Sequence, residues 1–322
     1  MTAKPVVSVV IPAYGRTPLL RKAVTSLFDQ DLPGDQYEIL VVDGSPNDAN
    51  ERMIGELTRV APCSLRYIRK PPEGPGPSRN LGARESSGEF IAFLDSDCFV
   101  TPEWLSAGIK SFADGVGIVQ GRTLPDPEGQ LGIFRWYLRV DRETFVYEAA
   151  NIFYRREAFE EIRGFPSDLM PRSKKPMGGE DVEAAWLVKR KGWQTKFEEA
   201  ALVYHEVEPL AVIDWVVIKH LYIWPSLVSK FPELRCYMYR SYFLDRPQAF
   251  FLLAVLGSLL GVAFHWAGFL LAVPYVIVRG AEPTHSLKGP LRVARVIAYM
   301  TRDIASFCLL TAGSIRYRCL LL

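Results

Sequence analysis

The chain has 322 residues, 49% hydrophobic and 23% charged, which is enough for a large buried core and excludes a disordered chain. Its net charge of +2 is unevenly spread: from Arg235 onward ten Lys/Arg stand against three Asp/Glu, a net of +7, which leaves −5 for residues 1–234. An acidic body with a basic, apolar tail excludes a nucleic-acid-binding pattern and points to a membrane surface.

The five cysteines (Cys63, Cys98, Cys236, Cys308, Cys319) have neither paired nor metal-type spacing. Their odd number argues against a disulfide framework and for reduced thiols in the cytosol. The chain passes from Lys4-Pro5 straight into an apolar run, so no secretory signal is expected.

Val6 to Ile11 reads as a buried strand ending at the loop Pro12-Ala13-Tyr14-Gly15, followed by a helix that Thr17-Pro18 caps and begins. Tyr37 to Asp43 is the next strand and stops at an acid. Asn47 or Asp48 can cap a helix carrying Ile54 and Leu57, and Ser64 to Ile68 is a third strand. Lys70 to Pro77 holds four prolines and two glycines and is expected as a loop, with Ser78 capping a helix over 79–84. Phe90 to Leu94 is a short, fully buried strand leading into Asp95-Ser96-Asp97. Thr101-Pro102 starts another helix. Residues 121–148 show no regular pattern. Asn151 to Arg156 is a strand entering a helix closed by Gly164-Phe165, and 166–177 reads as a mobile loop. Gly178-Gly179 opens a helix with Glu180 and Asp181 in its first turn, basic residues in its last and Gly192 as its stop. Val203-Tyr204-His205 ends a further short strand. Strands alternating with helices, apolar on both faces, predict a mostly parallel sheet covered on both sides.

The aromatic-rich run from Ala211 to Phe231 is expected either as an interfacial helix or as an amphipathic helix packed on the core. Gln248 to Val278 carries no formal charge over 31 residues. That suffices for one tilted span and is too short for two full ones. Basic residues flank both sides: Arg235, Arg240 and Arg246 before it; Arg279, Lys288, Arg292 and Arg295 after it. One crossing would leave a basic group outside, so a hairpin turning near His265–Gly268 is the other topology kept open. Val296 to Ile315, interrupted by Arg302-Asp303, reads as an interfacial amphipathic helix.

Acids therefore end strands or open helices at Asp43, Asp95/Asp97 and Glu180/Asp181, with His205 beyond. Ligands bind outside the carboxyl ends of strands in open α/β sheets, and two carboxylates one residue apart can share a hard divalent cation such as Mg²⁺ or Mn²⁺. Asx turns and helix-dipole partners are the structural alternatives for the same residues.

Five segments in order, Val9-Val10-Ile11-Pro12-Ala13-Tyr14, Val41-Val42-Asp43-Gly44-Ser45, Arg79-Asn80-Leu81-Gly82-Ala83, Phe93-Leu94-Asp95-Ser96-Asp97 and Gly179-Glu180-Asp181, resemble the family-2 glycosyltransferases of the GT-A fold. The resemblance covers about residues 6–232. It implies an α/β, Rossmann-like domain over 1–210; the aromatic and apolar runs after it set the expected amphipathic interface helices over 211–247 and a membrane-associated segment over 248–322. It also implies that Pro12, Ala13, Tyr14 and Asp43 hold the base and ribose of a nucleotide-diphosphate sugar. Arg79 and Asn80 would flank its diphosphate and sugar, and Asp95 and Ser96 its ribose or sugar. Asp97, Asp95 and His205 would hold Mn²⁺ or Mg²⁺, and Asp181, with Glu180 beside it, would be the catalytic base. The pattern departs from the family at Gly44, where a second acid is usual. A Gln-x-x-Arg-Trp motif of processive synthases is not found after His205. The expected protein is a non-processive, inverting enzyme at the cytoplasmic membrane face, with a lipid-linked or membrane-proximal acceptor. A nucleotidyltransferase of related fold and a non-catalytic nucleotide-sugar-binding protein are the alternatives.

Overall fold

The computed structural model describes residues 4–132, 134–166, 178–281 and 291–322. The chain divides into two compact units, Met1–Gly129 with Tyr137–Val207, and Gln130–Trp136 with Glu208–Leu322. The expected loop over 167–177 lies outside the described residues, as does Lys288.

In the first unit, Val7–Ala13 (β1), Tyr37–Asp43 (β2), Ser64–Arg69 (β3) and Phe90–Leu94 (β4) pair in parallel in the order β3-β2-β1-β4. Every residue of β1, β2 and β4 is buried, which is why these strands read as continuous apolar runs. Ala13 lies opposite Asp43, so both strands finish at one level. β1 runs past the expected stop at Pro12. Its pairing with β4 ends at Val10, so at Pro12 it has a neighbour on one side only and the missing N–H costs little.

The remaining strands correct the expectation of a mostly parallel sheet. Cys98–Val100 (β5) and Val116–Pro125 (β6) follow in the first unit, while Arg135–Trp136 (β7) belongs to the second. Asn151–Arg155 (β8) and Gln194–His205 (β9) complete one eight-stranded mixed sheet, β3-β2-β1-β4-β8-β6-β9-β5. β8 is antiparallel to both β4 and β6, β9 is parallel to β6, and β5 is antiparallel to β9. Four strand spacings would separate β4 from β5 by about 19 Å in a flat sheet. The link from Leu94 to Cys98 spans at most about 14 Å. The sheet must therefore curl, bringing β5 back toward the end of β4.

Helices cover both faces. One face packs Val9, Ile11, Val41 and Leu94 with Leu20 and Val24 of Thr17–Ser26 (α1) and Met53 and Ile54 of Ala49–Leu57 (α2). The other packs Val10, Val42 and Phe93 with Ala83 of Pro75–Glu85 (α3). Trp104–Lys110 (α4) lies on the first face; Arg156–Glu161 (α5) and Glu180–Arg190 (α6) lie on the second. α3 starts at Pro75, not after Ser78, because the first turn of a helix needs no backbone donors and tolerates Pro75 and Pro77. Thr17 is likewise inside α1 and does not cap it: its hydroxyl donates to Asn50 Oδ1 at 2.7 Å.

The second unit pairs β7 with Glu208–Pro209 (β10) and is otherwise helical. The Ala211–Phe231 run is broken into Val212–Val216 (α7), a 3₁₀ turn and Trp224–Lys230 (α8). Trp215 and Trp224 are buried, Trp215 edge-on to Phe134 and Tyr299, so this run packs on its own unit. Arg246–Ala263 (α9) turns at Phe264-His265 into a 3₁₀ segment, Trp266–Ala272, continued by Val273–Ala281 (α10). Leu291–Tyr317 (α11) is continuous through Arg302-Asp303, because Asp303 is buried and paired with Arg279 of α10.

Two glycines in helices separate propensity from packing. A methyl at Gly55 of α2 meets nothing within 4 Å, so Gly55→Ala should stabilise by about 0.5–1 kcal/mol through helix propensity. A methyl at Gly82 of α3 would stand 2.3 Å from Val10 Cγ1, so overpacking of about 1–3 kcal/mol should outweigh the same gain. Thermal unfolding should show opposite shifts in Tm for the two variants; a rise for both would mean that α3 sits farther from β1.

Candidate active site

The carboxyl ends of β1, β2 and β4 carry the first group of residues. Pro12 and Ala13 are buried strand residues, and only Tyr14, 62% exposed, presents its side chain to solvent. Asp43 is fully buried. Its Oδ1 accepts from the Ser45 N–H at 2.9 Å and from the Ser45 hydroxyl, and its Oδ2 accepts from Tyr67 at 2.9 Å. Ser45 Oγ accepts in turn from the Gly15 N–H at 2.7 Å. Asp43 thus grips the loop after β1 from inside. Gly15 and Arg16 have φ of +64° and +53°, two successive left-handed residues of which the first suits glycine.

That turn aims Arg16 at Asp97, with Nη1 2.8 Å from Oδ2. Asp97 Oδ1 lies 3.8 Å from His205 Nε2. The neighbours owe this to the curled sheet, since Cys98 opposes His205 across β5 and β9 and Glu206 N donates to the Asp97 carbonyl at 2.9 Å. His205 Nδ1 is 2.7 Å from the Glu206 carbonyl oxygen, which can only accept. Nδ1 therefore donates to that carbonyl, which fixes the ring with Nε2 toward Asp97.

Ligand atoms of Asp97, Cys98 and His205 lie within 4.8 Å of one another. Burial, then the charges of Asp97 and Asp95, hold the Cys98 thiol well above its usual range. It stays protonated and is a poor ligand. A carboxylate beside an imidazole whose ring is held by its second nitrogen fits a divalent cation. Burial and then Asp95 also hold Asp97 above the ordinary carboxylate range, against the pull of His205 and Arg16.

Asp95 and Asp97 face different partners. Asp95 Oδ1 accepts from Arg79 Nη2 at 2.6 Å, and the Cys98 N–H closes the turn onto the Asp95 carbonyl at 3.1 Å, leaving Ser96 half-buried between the acids. Arg79 is buried, and its Nη1 lies 3.6 Å from Glu180 Oε1. Burial works against the Arg79 charge, but Asp95 and Glu180 more than offset it. Its Nε has no hydrogen-bond partner among the described residues. Asn80, expected to flank the diphosphate and sugar, has its amide tied to Phe165. Its Nδ2 donates to the Phe165 carbonyl and its Oδ1 accepts from the Phe165 N–H, both at 2.8 Å. It fixes the Phe165 ring against the Arg79 guanidinium, 5.6 Å away.

Glu180 and Asp181 begin α6 after Gly178 and Gly179, both at positive φ. Asp181 is only partly exposed. Burial first, then the Glu180 charge, raise its pKa from 3.8 to about 7, although the Val182 N–H, 2.9 Å from Oδ1, and Arg79 pull the other way. Glu148 adds to the rise and is itself raised by burial. Tyr154, fully buried, interacts with Asp181 and Arg79, and its hydroxyl has no hydrogen-bond partner among the described residues.

Arg16, Glu148 and Tyr154 are not among the residues the sequence singles out, and Cys98 figures there only as one of five unpaired cysteines. Arg16 had a usable signal, being the charged residue that follows the glycine ending the first strand's loop. Tyr154 had none, since an aromatic in a buried strand reads as core, and Glu148 ends a stretch with no regular pattern.

Residues 8–163 match the family described as Glycosyl transferase family 2. The chain is 27% identical over 214 residues to Glycosyltransferase AglE of Haloferax volcanii, covering 64% of this chain and 68% of that one. It is 30% identical over 128 residues to the GalNAc(5)-diNAcBac-PP-undecaprenol beta-1,3-glucosyltransferase of Campylobacter jejuni, covering 39% and 41%. Its fold resembles the mannosyltransferase PcManGT of Pyrobaculum calidifontis, solved with GDP-Man and Mn²⁺, at a TM-score of 0.61 and 19% identity, covering 98% of this chain and 88% of that one.

Asp181 yields a stability test. Its folded pKa lies above its unfolded value, so the folded state binds more protons between about pH 4 and 7 and stability falls as pH rises through that window. Asp181→Asn removes this cost. At pH 8 it should stabilise by roughly 1–3 kcal/mol, a rise of a few degrees in Tm, with little change at pH 4. An equal Tm shift at both pH values would mean that Asp181 is ionised as easily as a surface carboxylate.

Proposed function

This chain belongs to glycosyl transferase family 2, and from that premise we propose that it passes a sugar, with inversion, from a nucleotide-diphosphate donor to a lipid-linked or membrane-proximal acceptor. The observation that carries the reading is the line of charges Asp97, Asp95, Arg79, Glu180, Asp181. It joins a cation-binding pair to a raised carboxyl through one buried guanidinium.

Asp97 and His205 Nε2 would hold the cation. The imidazole favours Mn²⁺ over Mg²⁺, which prefers an all-oxygen shell. A divalent cation there supplies charge stabilisation for the departing nucleotide diphosphate. Every other part is played by this chain. Arg79, neutralised by Asp95 and Glu180, keeps a fixed Nε–H for a donor oxygen. Tyr14 and the loop that Asp43 anchors would flank the base and ribose. Asp181 takes the proton of the acceptor hydroxyl as the bond to the anomeric carbon forms, and a pKa near 7 suits that transfer. Glu180, held by Arg79, is not free to attack as a second nucleophile, so a single displacement inverts the anomeric carbon.

The relative from Campylobacter jejuni acts, by its name, on an undecaprenol-linked substrate, which supports a lipid-linked acceptor here. The structure solved with GDP-Man and Mn²⁺ supports a nucleotide-sugar donor with that metal.

Turnover should rise with pH to a plateau, with a midpoint near 7 set by Asp181. Asp181→Asn should cut kcat by about 10²–10⁴ while keeping the Mn²⁺-dependent thermal shift produced by a nucleotide sugar. Asp97→Ala should lose both. A screen of UDP-, GDP- and TDP-sugars with and without Mn²⁺ measures the shift, and transfer to a polyprenyl-phosphate acceptor measures turnover. Unimpaired turnover in Asp181→Asn would remove the mechanism; a donor shift insensitive to metal and to Asp97→Ala would remove the cation site.

A further inference from the structure

The second unit hides its charge and shows its apolar side chains. α9 and the returning leg carry no charged residue from Gln248 to Val278. Yet only 22% of the apolar window of α9 is buried, whereas the core helix of a globular domain would be mostly buried. Leu259, Val262, Phe264, Trp266 and Ile277 are each more than 60% exposed. The largest contiguous apolar patch on a soluble monomer is usually a few hundred Å² and seldom spans two whole helices.

The two legs approach each other through glycines. A Cβ on Gly257 would lie 2.6 Å from the Gly268 carbonyl oxygen, and one on Gly268 would lie 2.4 Å from Gly261 N. Gly257 and Gly261, four apart on α9, form the small-xxx-small face that lets helices pack closely where water supplies no hydrophobic drive. The turn keeps its backbone groups paired: Phe264 and His265 donate to the Leu260 carbonyl, Ala267 to His265 Nδ1 and Gly268 to the His265 carbonyl.

Length decides the depth. α9 has 18 residues, about 27 Å at 1.5 Å each. The return leg joins seven 3₁₀ residues to nine α-helical ones, again about 27 Å because a 3₁₀ residue rises about 2 Å. Both match a hydrocarbon core of about 30 Å. The span is too short for two ordinary transmembrane helices by residue count, but the 3₁₀ stretch lengthens the second leg. The tip holds His265 and Trp266, residues suited to a membrane–water interface. The charges gather at the other end, where Asp303 of α11 takes Tyr275 at 2.7 Å, Arg279 Nε at 2.8 Å and Gln248 at 3.5 Å.

We propose that residues 246–281 form a helical hairpin inserted through a lipid bilayer, with both ends on one face and the Phe264–Trp266 tip at the opposite interface. The partner is a bilayer with anionic lipids on the side of the ends. The net charge of +7 from Arg235 onward supplies the attraction there, and a hairpin keeps every basic flank on one side, which a single crossing does not. This inference does not depend on the proposed reaction.

The test uses the full chain in sealed right-side-out and inverted membrane vesicles, with exposed Cys236 and Cys308 replaced by Ser. Phe264→Cys reports the tip, and Tyr242→Cys and Ala281→Cys report the two ends; all three positions are exposed, so the fold should tolerate them. A membrane-impermeant maleimide should label position 264 only in one vesicle orientation and positions 242 and 281 only in the other. Alkaline carbonate should leave the chain in the membrane pellet. Labelling of 242 and 281 on opposite faces would establish one crossing and overturn the hairpin. Labelling of 264 on the face of the ends, or in neither orientation until detergent is added, would overturn its depth. Release by carbonate would overturn insertion.

Discussion

Leu94 and Cys98 are four residues apart in the chain and four strands apart in the sheet. Only a curled sheet reconciles the two, and the arrangement of the candidate site follows from that curl. It sets the end of β9 against the start of β5, so that His205 meets Asp97 although neither is near the other in sequence. It also turns Asp95 away from Asp97 and toward α3, where Arg79 waits. A flat, all-parallel sheet would leave the Asp-x-Asp turn as an acidic loop with no imidazole beside it. The antiparallel half is therefore what gives the acids their separate partners.

Charge balance explains how so many ionisable groups stay together. Asp95, Glu180 and Asp181 surround one buried guanidinium, and one cation cannot neutralise three carboxylates. Asp95 and Glu180 have the close contacts with Arg79. Asp181 gains the weaker share and takes up a proton more readily than an isolated acid would. The same arithmetic applies on the Asp97 side, where Arg16 and His205 share one carboxylate. Residues that perturb each other this strongly lower stability, and their concentration at the ends of strands is the pattern of a functional site.

Much of the first unit was legible in the sequence because buried parallel strands announce themselves: β1, β2 and β4 are unbroken apolar runs, and the acids stand where those runs end. The second half of the sheet was not. β9 begins with Gln194-Thr195-Lys196, alternates between exposed and half-buried, and pairs across register shifts, so only its apolar end at Val203–His205 could be seen. The start of α3 was hidden because prolines argue for a loop everywhere except in a first turn. Site partners were harder still. Asn80 sits in the expected motif, yet its amide is used by Phe165, and nothing in a sequence tells which way an amide points. Asp43 was readable as a strand-ending acid but not as one enclosed by Ser45 and Tyr67.

The second unit reverses the usual solution to the hydrophobic problem, as the proposed insertion requires. In water, burying Asp303 and Arg279 carries a desolvation penalty that a well-packed apolar pair of similar volume would avoid. Exposing Leu259, Phe264 and Ile277 forgoes about 1.5–3 kcal/mol of burial per side chain. Both choices are unfavourable against water and become sensible against hydrocarbon, where an exposed charge is the costly item and an exposed leucine is at no disadvantage. The glycines that bring the legs together add nothing to hydrophobic burial, but they increase dispersion contact, the force that still acts between helices in lipid. Asp303 binds both legs at their charged end through Gln248, Tyr275 and Arg279, which keeps that end at one depth. The pattern of exposure is thus the observation on which the proposed insertion rests.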